Sequence, residues 1–222
     1  MARRDNVCEN PDASDLVRLH ETMVQQQIIE RDITSSRTIE AMKAVPRHVF
    51  LPHSLWGRAY DDRPQQIGHD QTISQPYIVS LMTSQFDSVL EGGRILEIGS
   101  GCGYQTALLV HMGFEVHAVE IVPELARLSE KILAKLGLSP ASLTVGDGRL
   151  GLPDLAPFSG LLAAACAADI PDQWLQQLAT PGVIVAPVEG RDRQILVRLE
   201  KNDRGSELKR TILAPVRFVP LT

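Results

Sequence analysis

Three glycines spaced two apart, Gly99, Gly101 and Gly103, follow the apolar run Ile95-Leu96-Glu97-Ile98. One acid, Glu97, stands just before them, and a second, Glu120, closes the next apolar run, Phe114 to Val119. Glycine lets a backbone approach a ligand closely. A carboxylate about 20 residues beyond the first glycine can accept hydrogen bonds from ribose hydroxyls. A strand, glycine turn and acid in this order build an adenosine-type cofactor site in a doubly wound α/β domain. The spacing is Gly-x-Gly-x-Gly, whereas a dinucleotide fingerprint has its third glycine one position later, for helix packing beneath a pyrophosphate. The pattern therefore points away from NAD and FAD and toward S-adenosylmethionine.

Two other stretches could carry chemistry. Gly146-Asp147-Gly148 follows the third strand and can present a carboxylate to an adenine amino group or to backbone donors. Asp-Gly is also a common turn; its place at a strand's carboxyl end, where open sheets bind ligands, is what singles it out. Gly68-His69-Asp70-Gln71-Thr72-Ile73-Ser74-Gln75-Pro76 is a polar loop just ahead of a helix. From the residues alone, Ser74 either serves a site or caps the helix that Pro76 opens. No nucleophile elbow surrounds it and no His or Asp partner is evident, so it is not read as a covalent nucleophile. His48, His53 and His69, separated by 5 and 16 positions, match no usual ligand set, and no metal is expected. Cys102, inside the glycine turn, reads as a small space-filling residue rather than a reactive thiol. The run Ala163-Ala164-Ala165-Cys166-Ala167-Ala168 reads as core packing that also leaves room for a ligand.

These residues need elements to position them. Asp15 is read as the N-cap of a first helix carrying Leu16, Leu19, Met23 and Ile28. A second helix follows Thr34-Ser35-Ser36, carries Ile39, Met42 and Val45, and stops before Pro46. Residues 47–75 read as irregular, and loops of that length are often functional. A helix after Pro76 carries Ile78, Leu81, Met82 and Phe86. Strands are expected at 94–98, 115–119, 142–145, 160–165, 182–187 and 194–200, with helices at 103–112, 123–136 and 171–179. Asn202-Asp203-Arg204-Gly205 reads as a hairpin turn into a last strand near 208–219. The expected fold is α/β and Rossmann-like, a mostly parallel sheet with an antiparallel C-terminal edge and an N-terminal helical cap. Residues 1–14 read as a mobile extension and 15–222 as one domain, with cap and loop over 15–90 and body over 91–222.

At 222 residues, 44% apolar and 22% charged, the chain has the composition of one globular α/β domain. A formal charge of −5 argues against nonspecific nucleic-acid binding. No apolar run reaches the ~20 residues of a membrane span, and the N-terminus lacks a signal-peptide core. Three scattered cysteines suggest neither a disulfide framework nor a zinc site. A cytoplasmic monomer is the expectation.

From about Met23 to Thr222 the chain resembles the protein-L-isoaspartate O-methyltransferase family. The matching segments are Val45-Pro46-Arg47-His48-Val49-Phe50, Ala59-Tyr60-Asp61-Asp62-Arg63-Pro64, Ile67-Gly68-His69 and Gln71-Thr72-Ile73-Ser74-Gln75-Pro76-Tyr77. Further on come Leu96 to Thr106, Gly146-Asp147-Gly148 and the ending Val216-Arg217-Phe218-Val219-Pro220-Leu221. The glycine motif is common to many S-adenosylmethionine methyltransferases, whereas Thr-Ile-Ser-Gln-Pro and the ending are far more specific. The resemblance implies the S-adenosylmethionine-dependent methyltransferase fold, with proteins and peptides containing L-isoaspartyl residues as substrates. It gives the catalytic role to Ser74. It gives cofactor contacts to Thr72, Ile73, Ser74, Glu97, Gly99, Ser100, Gly101, Gly103, Glu120, Asp147 and Gly148. The chain departs from the usual pattern at Asp70, where glycine is common, at Ser159, and in the strand Leu162 to Cys166. Two alternatives stand beside this reading: a different carboxylate acceptor, motivated by Asp70, and a non-catalytic S-adenosylmethionine-binding protein.

The chemistry implied by the resemblance suits a serine without a base. An α-carboxylate, with a pKa of roughly 3.3–3.7, is already an anion at neutral pH. Methyl transfer to it requires alignment and exclusion of water rather than proton removal. Positioning of this kind can contribute about 7–11 kcal/mol.

Overall fold

The computed structural model describes residues 11–89, 92–202 and 208–222. Its centre is a seven-stranded sheet. The strands are β3 (Arg94–Ile98), β4 (Glu115–Glu120), β5 (Ser142–Val145), β6 (Phe158–Ala163), β7 (Leu178–Glu189), β8 (Gln194–Lys201) and β9 (Leu208–Pro215), in the order β5-β4-β3-β6-β7-β8-β9. Pairings from β5 through β7 are parallel, and β8 runs antiparallel to both its neighbours. Strand order reverses between β3 and β6, the switch point where open α/β sheets bind ligands beyond the carboxyl ends. The protein thus has the α/β Rossmann-like fold with an antiparallel edge.

Parallel strands buried on both faces need apolar residues at successive positions. β3 meets this requirement with Ile95 packed into one hydrophobic cluster and Leu96 into the other. The larger cluster joins Met23, Ile28, Met42 and Phe50 from the N-terminal helices to Ile95, Leu108 and Val185 of the body. The N-terminal helices and the sheet therefore share one core. The second cluster, under Trp174 and Phe158, lies on the opposite face.

Helix α1 (Ala13–Met23) begins earlier than expected. Its cap is Asp12, whose carboxylate accepts from the Asp15 backbone N–H at 2.9 Å, so Asp15 lies inside the first turn rather than at the cap. Helix α2 (Ser36–Ala44) is capped by Ser35, as the Thr34-Ser35-Ser36 signal suggests. The stretch 47–75 is more ordered than expected. It contains two 3-10 segments, Arg47–Phe50 and His53–Arg58, and a hairpin of β1 (Gln65–Gly68) and β2 (Gln71–Ile73). Short strands interrupted by Pro64 and Gly68 leave too little alternation to read from sequence. Helices α3 (Pro76–Ser84), α4 (Tyr104–His111), α5 (Pro123–Leu136) and α6 (Asp172–Gln177) complete the layers. The expected turn at Asp203 to Gly205, Cys8 and most of the 1–14 extension lie outside the described residues. Among the described residues, no helix is long and apolar enough to cross a membrane.

Candidate active site

Beyond Ile98 the chain turns through Gly99 (φ 81°), Gly101 (φ 54°) and Gly103 (φ 90°) into α4. This left-handed backbone is open to glycine without steric cost. Gly103 is constrained twice, since a Cβ there would stand 3.0 Å from Leu133 Cδ1 and from Ser129 Cβ on α5. The turn is pinned to β4. The Gly99 N–H donates to the Val119 carbonyl at 2.8 Å and the Gly101 N–H to Glu120 Oε2 at 2.7 Å. Glu120 Oε1 accepts from the Val122 N–H at 2.9 Å, so this buried carboxylate bridges the turn and the approach to α5. About half of its acceptor capacity remains for another donor.

Glu97 is fully buried. Its Oε2 accepts from Thr106 Oγ1 at 2.6 Å, while Oε1 has no hydrogen-bond partner. Burial pushes its pKa up to about 7, against the lowering effect of the Thr106 hydrogen bond, and Glu120 adds a smaller upward push. The Ser100 hydroxyl is likewise buried without a partner. Cys102 has its thiol pushed up to about 11 by burial, which leaves it protonated and consistent with space filling.

At the end of β5, Asp147 accepts from the Arg149 N–H at 2.9 Å and pairs with the Arg149 guanidinium at 2.7 Å. The side-chain hydrogen bonds from Arg149 hold its carboxyl below the usual range. Gly148 is fixed from behind, because its carbonyl accepts from Trp174 Nε1 at 2.9 Å and a Cβ would collide with Ile98.

The opposite wall is the β1–β2 hairpin. His69 (φ 54°) and Asp70 (φ 56°) form its two-residue loop, both left-handed, as a type I′ turn requires. Asp70 is exposed at the tip and does not line the site. Its charge is therefore set away from the cavity wall, and its position asks for a residue tolerant of positive φ. After β2, Gln75 rather than Ser74 is the residue before α3, and no side chain caps that helix. Among the described residues the Ser74 hydroxyl has no hydrogen-bond partner, so the capping alternative is removed.

Sequence reasoning missed Arg47. This arginine is fully buried, with no carboxylate partner among the described residues. Its Nε donates to the Ala59 carbonyl at 2.9 Å, one terminal nitrogen reaches toward the Ile73 carbonyl at 3.5 Å, and the other has no partner. The guanidinium lies 5.3 Å from the Tyr104 ring centroid, and burial draws its pKa below the ordinary value. Arg47 thus ties the loop at Ala59 to the residue preceding Ser74. In the sequence Arg47 appears only within the matched Val45–Phe50 segment, with nothing there to mark it as buried.

The C-terminal segment forms the third wall. Gln194 holds it at one end, its carbonyl accepting from the Val216 N–H at 3.0 Å and its side-chain oxygen from the Phe218 N–H at 2.7 Å. Cys166 holds it further along, its N–H donating to Val219 and its carbonyl accepting from Leu221, both at 2.8 Å. Leu221 ends against Gly148.

These three walls enclose a cavity of about 530 Å³. Thr72, Ile73, Ser74, Gly99, Ser100, Gly101, Glu120 and Gly148 all line it. Gly103, Glu97 and Asp147 do not. Gly103 sets the helix packing, Glu97 lies in the β3 core, and Asp147 is held by Arg149. The histidines take other roles: His48 Nδ1 is 2.6 Å from the Tyr60 hydroxyl, and its ring packs edge-on against Trp56. No cluster of metal-ligating side chains occurs among the described residues.

A switch-point cavity with a glycine turn, a bridging acid and an uncommitted serine defines an S-adenosylmethionine-dependent methyltransferase. A Plasmodium falciparum structure solved in complex with S-adenosyl-L-homocysteine shares the fold, with a TM-score of 0.80 at 23% identity over 91% of this chain and 98% of that one. The sequence matches the family model for protein-L-isoaspartate (D-aspartate) O-methyltransferase over residues 18–222, and the chain belongs to that family. A relative named protein-L-isoaspartate O-methyltransferase in Opitutus terrae is 44% identical over 91% of this chain and 86% of its own length. One of the same name in a Picosynechococcus species is 44% identical over 98% of this chain and 94% of its own.

Proposed function

We propose that this protein repairs damaged proteins by methylating the α-carboxylate of L-isoaspartyl residues, with Ser74 orienting that carboxylate. S-adenosylmethionine, when bound, supplies an electrophilic methyl on a sulfonium centre. The chain's own residues fit such a group. The glycine turn offers close backbone approach, Glu120 keeps acceptor capacity, and Ser100 has a buried hydroxyl without a partner. Glu120 would accept from the ribose hydroxyls, and Thr72, Ile73, Gly99, Gly101 and Gly148 would supply the surrounding wall. Glu97 and Gly103 would act from behind it, by holding the turn and the helix. Asp147 would have to leave Arg149 to meet the adenine amino group.

The acceptor needs no base, because its carboxylate is already ionised. It needs one donor to hold the attacking oxygen in line and walls that exclude bulk water. The observation that carries the proposal is that Ser74 lines the same cavity as the glycine turn with its hydroxyl unused by the protein. The methyl ester formed on an isoaspartyl residue collapses to a succinimide as the following residue's backbone nitrogen attacks the ester carbonyl and methanol leaves, and water can reopen the ring to ordinary aspartate. Incubation with labelled S-adenosylmethionine and paired peptides differing only in Asp or isoaspartate tests this. Label on the isoaspartyl peptide alone is expected. Equal label on both, or on neither, overturns the assignment.

A further inference from the structure

We infer that Arg193 and Arg217 form a cationic rim that selects isoaspartyl sites flanked by acidic side chains. The inference rests on the repair reading above and concerns which damaged sites are accepted. β8 and β9 pair antiparallel with Ile195 opposite Pro215 and Leu196 opposite Ala214. The Val216 N–H continues this ladder to the Gln194 carbonyl at 3.0 Å. Arg193 lies in the bend just before β8, and Arg217 follows Val216 just past the end of β9.

Among the described residues neither guanidinium makes an ion pair or side-chain hydrogen bond. Glu189, on the same turn, is engaged by Gln194 Nε2 at 3.2 Å and by the Cys166 thiol at 3.5 Å. Asp192 adjoins Arg193 but forms no ion pair with it. Nearby Arg210 differs, because Asp169 pairs with it at 2.9 Å.

Both arginines are exposed, and both line the cavity that holds Ser74. Among the described residues they are the only Lys or Arg in that lining. Glu120, the one acid among those described residues, is buried and bound to backbone N–H groups. Arg217 lies at the Gln194 end of the C-terminal segment, whereas Leu221, at the other end, rests on Gly148 beside the cofactor wall. The unpaired cations therefore belong to the acceptor side. A peptide entering with its isoaspartyl carboxylate toward Ser74 would place a neighbouring Asp or Glu side chain within their field. Exposed guanidinium groups recognise such carboxylates well, through a planar, always-charged fork.

The test compares isoaspartyl peptides flanked by Glu, Gln or Lys, at low salt, with wild-type protein and the R193Q/R217Q variant. Wild-type protein is expected to favour the Glu-flanked over the Lys-flanked peptide about fivefold in kcat/KM, mostly through KM, as exposed charge pairs allow. The preference should shrink as salt rises and approach one in the variant. A wild-type ratio near one, or a ratio unchanged in the variant, overturns the inference. So does a variant that loses kcat equally on all three peptides, because the arginines would then act on the acceptor carboxylate itself. Failure of the wild-type protein to methylate even the Gln-flanked peptide would instead count against the repair reading.

Discussion

The glycine-turn wall and the Ser74 wall of the cavity are assembled differently. The first is made within one β-α-β unit: Gly99 to Val119, Gly101 to Glu120, and Glu97 to Thr106 all link β3, α4 and β4. The second gathers three separate stretches of chain. Arg47 reaches Ala59 and Ile73, Gln194 holds Val216 and Phe218, and Cys166 holds Val219 and Leu221. Regular strands fix the first wall to the sheet that generates it. Isolated hydrogen bonds, some from side chains and some from backbone, fix the second, so changes there should move acceptor handling before they disturb the cofactor half.

The largest effect is expected from Gly103→Val. A β-branched residue would have to hold φ near 90° while its Cβ presses on Leu133 and Ser129. Backbone strain and overpacking together should lower stability by about 3 kcal/mol or more. Binding of S-adenosylhomocysteine, read by calorimetry, should be lost with it.

Glu97→Gln probes the same wall by pH. The native pKa of Glu97, about 7, lies above the ordinary carboxyl value of 4.5, so the native state binds the extra proton between these limits. Wild-type stability should therefore fall as pH rises from 5 to 8, by about 3 kcal/mol in all from this group. The glutamine variant should lose this slope while keeping a partner for Thr106. Denaturant titrations at both pH values measure the difference.

On the other wall, Gln194→Ala frees the Phe218 N–H, while the backbone bond from Val216 to the residue 194 carbonyl remains. We expect a loss of about 1 kcal/mol and a rise in peptide KM that exceeds any change in cofactor affinity. Arg47→Met should have the smallest effect on stability, within about 1 kcal/mol, because removing an unpaired buried cation offsets its lost hydrogen bonds. Its kcat should nevertheless fall several-fold, as Ile73 and Ser74 lose their tie to Ala59. A variant that loses stability in proportion to activity would make Arg47 a packing residue only.

This difference in construction also explains what could be read from the sequence. β3, β5 and α5 fall at the expected residues because apolar runs, a first-turn proline and a terminal glycine are local signals. The glycine turn was legible for the same reason. The β1–β2 hairpin was not, because its strands are short and its turn uses His69 and Asp70 in place of glycine. Asp15 takes the cap position in the sequence reading because the capping bond that Asp12 accepts depends on where the first turn begins. Ser74 carried two readings until α3 was seen to start without a side-chain cap. The burial of Arg47 and the meeting of Arg193 and Arg217 at one cavity depend on contacts between distant segments, for which no local pattern exists.

The separation of the two walls is tested most directly by Ser74→Ala. Cofactor affinity and turnover on an isoaspartyl peptide should be measured on the same preparation. Affinity for S-adenosylmethionine should stay within about twofold of wild type, as befits loss of one neutral hydrogen bond at most, while kcat falls by about tenfold or more through lost alignment. Wild-type turnover, or a parallel collapse of affinity and turnover, would contradict the account.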